Sequence, residues 1–237
     1  MPIDTQHQAM GYDRTATMFS PEGHLLQVEY AEKAIKQGSG SIGMACSDGV
    51  FILADKRIKD KLIVSSSSSK IYEIDSHIIS SAAGIVSDAR VLIEKSQVLS
   101  QQHRVTYDSP IDPESIIKEI ANLKQQFTQY GGARPFGVSL MVAGINNGKP
   151  ELFTTEITGN YFAYHSNAIG ENDLKVKDLL RKKYSKDLDL KKGVKTALDI
   201  FKEIKGENFK ISDFELAYIK SNEEKLKRLE GEDINKL

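Results

Sequence analysis

The side chains able to do chemistry in this 237-residue chain are few and scattered. A metal site needs several His, Cys or carboxylate ligands at set spacings. The five histidines, His7, His24, His77, His103 and His165, include no pair four residues apart, so each reads as structural or surface. Phosphate-cradling loops and nucleophile elbows have fixed patterns, and neither occurs here. Gly38-Ser39-Gly40-Ser41 is glycine-rich but lacks the lysine and helix that would cradle a phosphate. Cys46 lies in the apolar run Ser41–Cys46 and reads as a small buried hydrophobe, not a reactive thiol. No cofactor and no metal are expected from these residues.

The bulk numbers narrow the class further. There are 32 basic and 33 acidic residues, a net charge of −1, so no basic excess points to nucleic acid. A single cysteine cannot form an internal disulfide, which favours a reducing compartment, the cytoplasm by default. The first twenty residues carry Asp4, Asp13 and Arg14 and no apolar export core. The longest uncharged apolar stretch, near Val138–Ile145, falls far short of the roughly 20 residues that cross a bilayer.

The elements that must position any site follow from patterning. Residues 1–11 are polar and unpatterned and read as a mobile tail. Ser20-Pro21-Glu22-Gly23 is a helix-start signal, with Ser20 as cap and Pro21 at the first helical position, for a helix reaching about Lys36 and stopping at Gly38. Its apolar residues cover more than one stripe, so it should touch two surfaces. Ser41–Cys46 and Val50–Asp55 flank Ser47-Asp48-Gly49 as a hairpin. Leu62–Val64, Lys70–Ile74 and Ile78–Ala82 are strand-like, and the five-serine run Ser65–Ser69 reads as a solvated loop.

Two amphipathic helices follow, one presenting Ala89, Leu92, Ile93, Ser96 and Leu99, the other Ile116, Ile120, Leu123 and Phe127. Strands resume at Val138–Ile145, Glu151–Thr155 and Asn160–His165. A second helix pair carries Val176, Leu179, Leu180 and Tyr184, then Val194, Ala197, Leu198, Phe201 and Ile204. Phe214–Ile219 is a late strand, and Glu223–Leu237 is a surface helix or frayed tail. Helices in pairs between blocks of strands do not fit βαβ alternation; two antiparallel sheets between helix layers do.

One dense block carries more information than any of these. Tyr12-Asp13-Arg14, Phe19-Ser20-Pro21-Glu22-Gly23-His24 and Gln27-Val28-Glu29-Tyr30-Ala31 together resemble the signature of proteasome α-type subunits, more the archaeal type than any specialised eukaryotic one. The likeness continues through Ala54-Asp55-Lys56-Arg57, Gly84–Arg90, Tyr130–Gly137 and Ala168-Ile169-Gly170, and spans about Tyr12 to Ile219. It implies an α+β fold: a four-layer αββα sandwich of the N-terminal-nucleophile hydrolase type with an extra N-terminal helix. A single domain over 1–237 is expected, with a gate tail at 1–11, the α-type turn and helix at 20–37, the core at 38–220 and a charged segment at 221–237.

The same resemblance implies a non-catalytic subunit of the 20S core particle. Such subunits form seven-membered rings, of one or several kinds of α chain, that cap catalytic β rings. Aligned with the β-type relatives, Ser39 takes the nucleophile position, with Asp55, Arg57 and Lys70 matching their supporting residues. The catalytic relatives, however, use a free N-terminal amine as base, and the segment before Gly38 holds the whole α-type signature. A self-processing serine amidohydrolase built on Ser39 is the rival reading.

For the gate the resemblance implies Tyr12, Asp13, Pro21 and Tyr30, although Tyr30 also fits ordinary helix packing. Lys70, with Gly84 and Ile85, would form a pocket that receives the C-terminal carboxylate of a hexameric ATPase activator, a task suited to a compact cation. Many archaeal relatives carry a basic residue where this chain has Glu32, which should weaken that capture. Arg134 and Tyr130 fall in a loop that serves either a ring interface or an internal turn. Implied partners are thus further α chains, β subunits, an ATPase and unfolded protein, with no nucleic acid and no membrane.

Overall fold

The computed structural model describes residues 10–57, 62–223 and 225–237. The tail expected at 1–11 lies, but for its last two residues, outside the described residues.

The first helix, α1 (Leu26–Gln37), begins later than Ser20. Ser20 instead closes a turn: Gly23 N donates to Ser20 O at 2.8 Å, Ser20 N to His24 O at 2.8 Å, and His24 N to Ser20 Oγ at 3.2 Å. Gly23 at φ 85° takes the chain out of the helical region, so Pro21 and Glu22 become turn centres and not helix starts.

Two antiparallel sheets follow. One has the order β10-β9-β2-β1-β8, from β1 (Ser41–Cys46), β2 (Gly49–Asp55), β8 (Ser166–Ile169), β9 (Phe214–Lys220) and β10 (Leu226–Glu230). The other has the order β3-β4-β5-β6-β7, from β3 (Ile71–Asp75), β4 (Ile78–Gly84), β5 (Val138–Asn146), β6 (Lys149–Thr155) and β7 (Tyr161–Ala163). Strand alternation sends β2 side chains to two different cores. Val50, Ile52 and Ala54 join Met141, Ala143 and Ile145 between the sheets. Phe51 and Leu53 turn the other way, onto α4 (Asp173–Lys183) and α5 (Leu190–Lys205), where Val176, Leu180, Val194 and Phe201 meet them.

The second sheet repeats the device. Leu140 and Val142 face α2 (Val86–Tyr107) and α3 (Pro113–Phe127) through Leu92, Ile93, Ile116 and Ile120. Asp112 caps α3 by accepting from Ser115 N, with Pro113 at its start. Three apolar layers between four structural ones make the αββα sandwich, with α1 as the extra N-terminal helix against β4 and β5.

Three expectations are corrected. Leu62–Val64 is not a strand: its three side chains are exposed ahead of a 3-10 turn at Ser65–Ser68, so the run lays no face on either sheet. The run read as one strand over Asn160–His165 divides, β7 pairing with β6 in one sheet and β8 with β1 in the other. Nor is the C-terminal segment a helix or frayed. β10 covers the open edge of β9, and the 3-10 turn Gly231–Lys236 buries Ile234. Among the described residues no helix is long and apolar enough to cross a membrane.

Candidate functional site

Strand ends and their loops converge on a cavity of about 410 Å³ lined by Gly38, Ser39, Lys56, Arg57, Lys70 and Gly84, among others. Ser39 enters from the link between α1 and β1, Lys56 and Arg57 from the end of β2, Lys70 from the residue before β3, and Gly84 from the end of β4. Gly84 has φ 125°, and a Cβ there would stand 2.1 Å from Gly137 O, so the close approach of β4 to the loop before β5 requires glycine.

Lys70 is the centre of the arrangement. Its ammonium donates to Ser39 Oγ at 2.7 Å and also to the Ser39 carbonyl oxygen. Burial pulls its pKa down to about 8; Asp55 opposes that pull, Arg57 reinforces it and Glu215 opposes it. The backbone around it is clamped by Glu215, a buried carboxylate that accepts from Lys70 N, from Ile71 N at 2.9 Å and from Ser69 Oγ at 2.9 Å. Burial raises the pKa of Glu215 against those donors. Among the described residues, no carboxylate hydrogen-bonds the Lys70 ammonium.

The other residues matched to a hydrolase centre are engaged elsewhere. Asp55 is paired with Lys205 Nζ at 2.6 Å and accepts from Arg57 N at 3.1 Å. Arg57 pairs with the Glu171 carboxylate, while Glu171 N donates to Gly38 O at 2.7 Å. Lys56 reaches Glu230 on β10 at 2.7 Å. The nitrogen of Ser39 belongs to the Gly38–Ser39 peptide bond, and an acylated amine cannot act as a base.

The remaining expected residues lie outside this cavity. Tyr12 and Asp13 form a 3-10 turn, Tyr12–Arg14, tied to α1 where Gln27 Nε2 donates to Asp13 O at 2.6 Å. Pro21 is exposed on the turn before α1, and Tyr30 is half-buried on α1 with the Lys33 ammonium 5.2 Å from its ring centroid. Ile85 stands beside the cavity, its N–H donating to Gly137 O at 2.9 Å. Glu32 opens onto a separate depression with Lys36, Tyr164 and Lys177. Tyr130 is exposed. Arg134 is held within the chain, bidentate on Asp88, so its fork serves an internal turn first.

Sequence reasoning missed Glu215, Lys205 and Glu230. Lys205 and Glu230 carry no local signal, since each meets its partner across a long sequence separation. Glu215 does carry one: it is the charged residue in the otherwise apolar run Phe214–Ile219, and a buried charge in a strand needs partners.

Comparison with known proteins agrees with this geometry. Residues 35–219 match the family described as proteasome subunit, and residues 12–34 match the N-terminal signature of A-type proteasome subunits. The proteasome alpha subunit of Archaeoglobus fulgidus is 41% identical over 230 residues, covering 95% of this chain and 91% of that protein. That of Methanococcus maripaludis is 39% identical over 229 residues, covering 97% and 88%. That of Pyrococcus horikoshii is 41% identical over 226 residues, covering 95% and 86%. With its signature turn and helix, its two-sheet core and a serine whose amine is blocked, this chain belongs to the proteasome subunit family.

Proposed function

We propose that this chain, an alpha subunit of the proteasome core and of the kind that does not itself cut peptides, forms the outer seven-membered rings and gates entry to the proteolytic chamber. It assembles with proteasome subunits in a core particle; the β subunits supply the hydrolysis and use the α ring as a template. Residues 1–11 form the gate, with Tyr12, Asp13, Pro21 and Tyr30 holding its open form between neighbours, and Tyr130 contributes to the ring interface. A hexameric ATPase docks by C-terminal tails and delivers unfolded protein, in the cytoplasm.

The observation that carries the docking reading is the Lys70 ammonium, which faces a cavity of about 410 Å³ with no carboxylate partner among the described residues. A half-buried cation with no carboxylate hydrogen-bonded to it favours an incoming anion, and a terminal carboxylate is the anion a compact ammonium suits. The Arg57–Glu171 pair and the Lys56–Glu230 pair leave that role to Lys70.

The test is reconstitution with β subunits and a fluorescent peptide substrate. Deleting residues 1–11 should raise hydrolysis severalfold without an activator. Lys70→Met should abolish stimulation by a tail peptide ending in hydrophobic-Tyr-X while leaving assembly intact. Hydrolysis by the purified chain alone would overturn the reading.

A further inference from the structure

Charge is unevenly spread along this chain. Residues 173–210 hold twelve basic and seven acidic side chains, a net +5 in a chain whose total is −1. They make up α4, α5 and the segments joined to them, so the helix layer over the first sheet is basic while the remainder is acidic. Several of these cations are already paired: Lys177 with Asp173 at 2.8 Å, Lys183 with Glu203 at 2.7 Å and Lys192 with Asp189 at 3.5 Å. Lys191, Lys195 and Lys202 on α5 are exposed, and among the described residues no carboxylate side chain forms an ion pair with them.

Those three lysines line a groove of about 310 Å³ between α5 and the C-terminal turn. Its floor is apolar. Leu198 comes from α5, Phe209 and Ile211 from the link to β9, and all three are half-buried. Phe209 is set by its ring contact with Phe214, with centroids 5.3 Å apart. Asp199 adds an acidic side chain to the same rim. None of these residues lines the Lys70 cavity.

We propose that this groove docks an acidic amphipathic peptide segment, whose apolar side chains enter the floor while its carboxylates meet Lys191, Lys195 and Lys202. Charge and shape together select that partner. Lys191 and Lys202 are three turns apart, about 16 Å along the helix axis. A fatty acid carries one carboxylate and reaches one lysine of the three. Polyphosphate or nucleic acid satisfies the lysines but leaves the apolar floor in contact with water. A peptide that interleaves Leu or Phe with Glu or Asp answers both features. The segment that spans the groove is about 5 residues long if extended and about 11 if helical. Docking here is separate from tail capture at Lys70, and either can fail without the other.

The experiment uses the whole purified chain, free and assembled with β subunits. The probe is a fluorescein-labelled peptide of about twelve residues in which Leu and Phe recur every three or four positions among Glu. Anisotropy should show saturable binding of one peptide per chain. Reversing three charges together, with Lys191→Glu, Lys195→Glu and Lys202→Glu, should weaken it by on the order of 10-fold or more. Asp199→Asn should tighten it, a gain that misfolding does not produce. Raising the salt from about 0.05 to 0.5 M should weaken it, and so should a peptide with Ser in place of every Leu and Phe, by on the order of 10-fold. Polyphosphate or the Ser peptide binding as tightly as the amphipathic one would reduce the site to bare electrostatics and overturn the proposal. Displacement of the peptide by stoichiometric octanoate, affinity unchanged by the triple reversal, or binding that is lost on assembly would each overturn it as well.

Discussion

Arg134 lays both terminal nitrogens on the Asp88 carboxylate, at 2.6 and 2.7 Å, fastening the loop before β5 to the first turn of α2. Asp88 also accepts from Gly137 N at 2.9 Å, so one buried carboxylate fixes the loop that passes Gly84 and the cavity. Arg134→Ala should cost about 1–2 kcal/mol in urea unfolding, a range set by a charge-assisted bond whose cationic end is half exposed. Arg134 is the largest cause lowering the Asp88 pKa. Its contribution is therefore complete above the unfolded carboxylate value near 4 and disappears as pH falls through the lower folded value. The difference between wild type and variant should close in acid; a constant difference would contradict the pairing.

Lys124 on α3 is fully buried, donating to Val138 O at 2.9 Å and Thr155 Oγ1 at 2.8 Å. Burial lowers its pKa from 10.5 to about 7. Between those values the unfolded chain holds a proton that the folded chain has released, so stability should rise with pH across that window. Lys124→Met should flatten the rise, while Lys124→Ala should cost about 2–4 kcal/mol by opening a cavity. Urea midpoints from pH 7 to pH 10 distinguish these outcomes.

Glu215→Ala should be destabilising by about 2–4 kcal/mol, because the buried N–H of Ile71 and the part-buried N–H of Lys70 lose their acceptor. Glu215→Gln keeps one oxygen and should recover part of the loss. Thermal unfolding of the two variants checks the order, and equal losses would mean that the carboxylate charge, not the hydrogen-bond geometry, matters.

Gly84→Ala meets two obstacles at once, a φ of 125° and a carbonyl oxygen 2.1 Å from the new Cβ. A loss on the order of 3 kcal/mol is expected from strain of this kind. A circular-dichroism melt on the variant measures it.

Tail-peptide capture should weaken as pH rises through about 8, where Lys70 gives up its proton. The sign follows because docking needs the cation. Fluorescence anisotropy between pH 6.5 and 9 reads it, and a flat profile would remove Lys70 from the docking site.

Much of the architecture is legible in local patterns. The apolar runs Val50–Asp55 and Val138–Ile145, the helix faces at Ala89–Ser96 and Val194–Phe201, and the block from Tyr12 to Ala31 are such patterns, and the helix faces report which side of each helix is buried. They determined the paired-helix, two-sheet plan and the family. They could not assign Leu62–Val64, whose strand-like side chains stay exposed, or Leu226–Glu230, whose charges conceal an edge strand.

Through its likeness to the β-type relatives, the sequence also marked Ser39, Asp55, Arg57 and Lys70 as candidates for one centre. Only the tertiary structure decided their partners: Lys70 with Ser39, Asp55 with Lys205, Arg57 with Glu171. The physical reason is that a charge chooses its partner by distance and burial, both fixed by how the two sheets and α5 pack together. No spacing along the chain encodes a contact made across them.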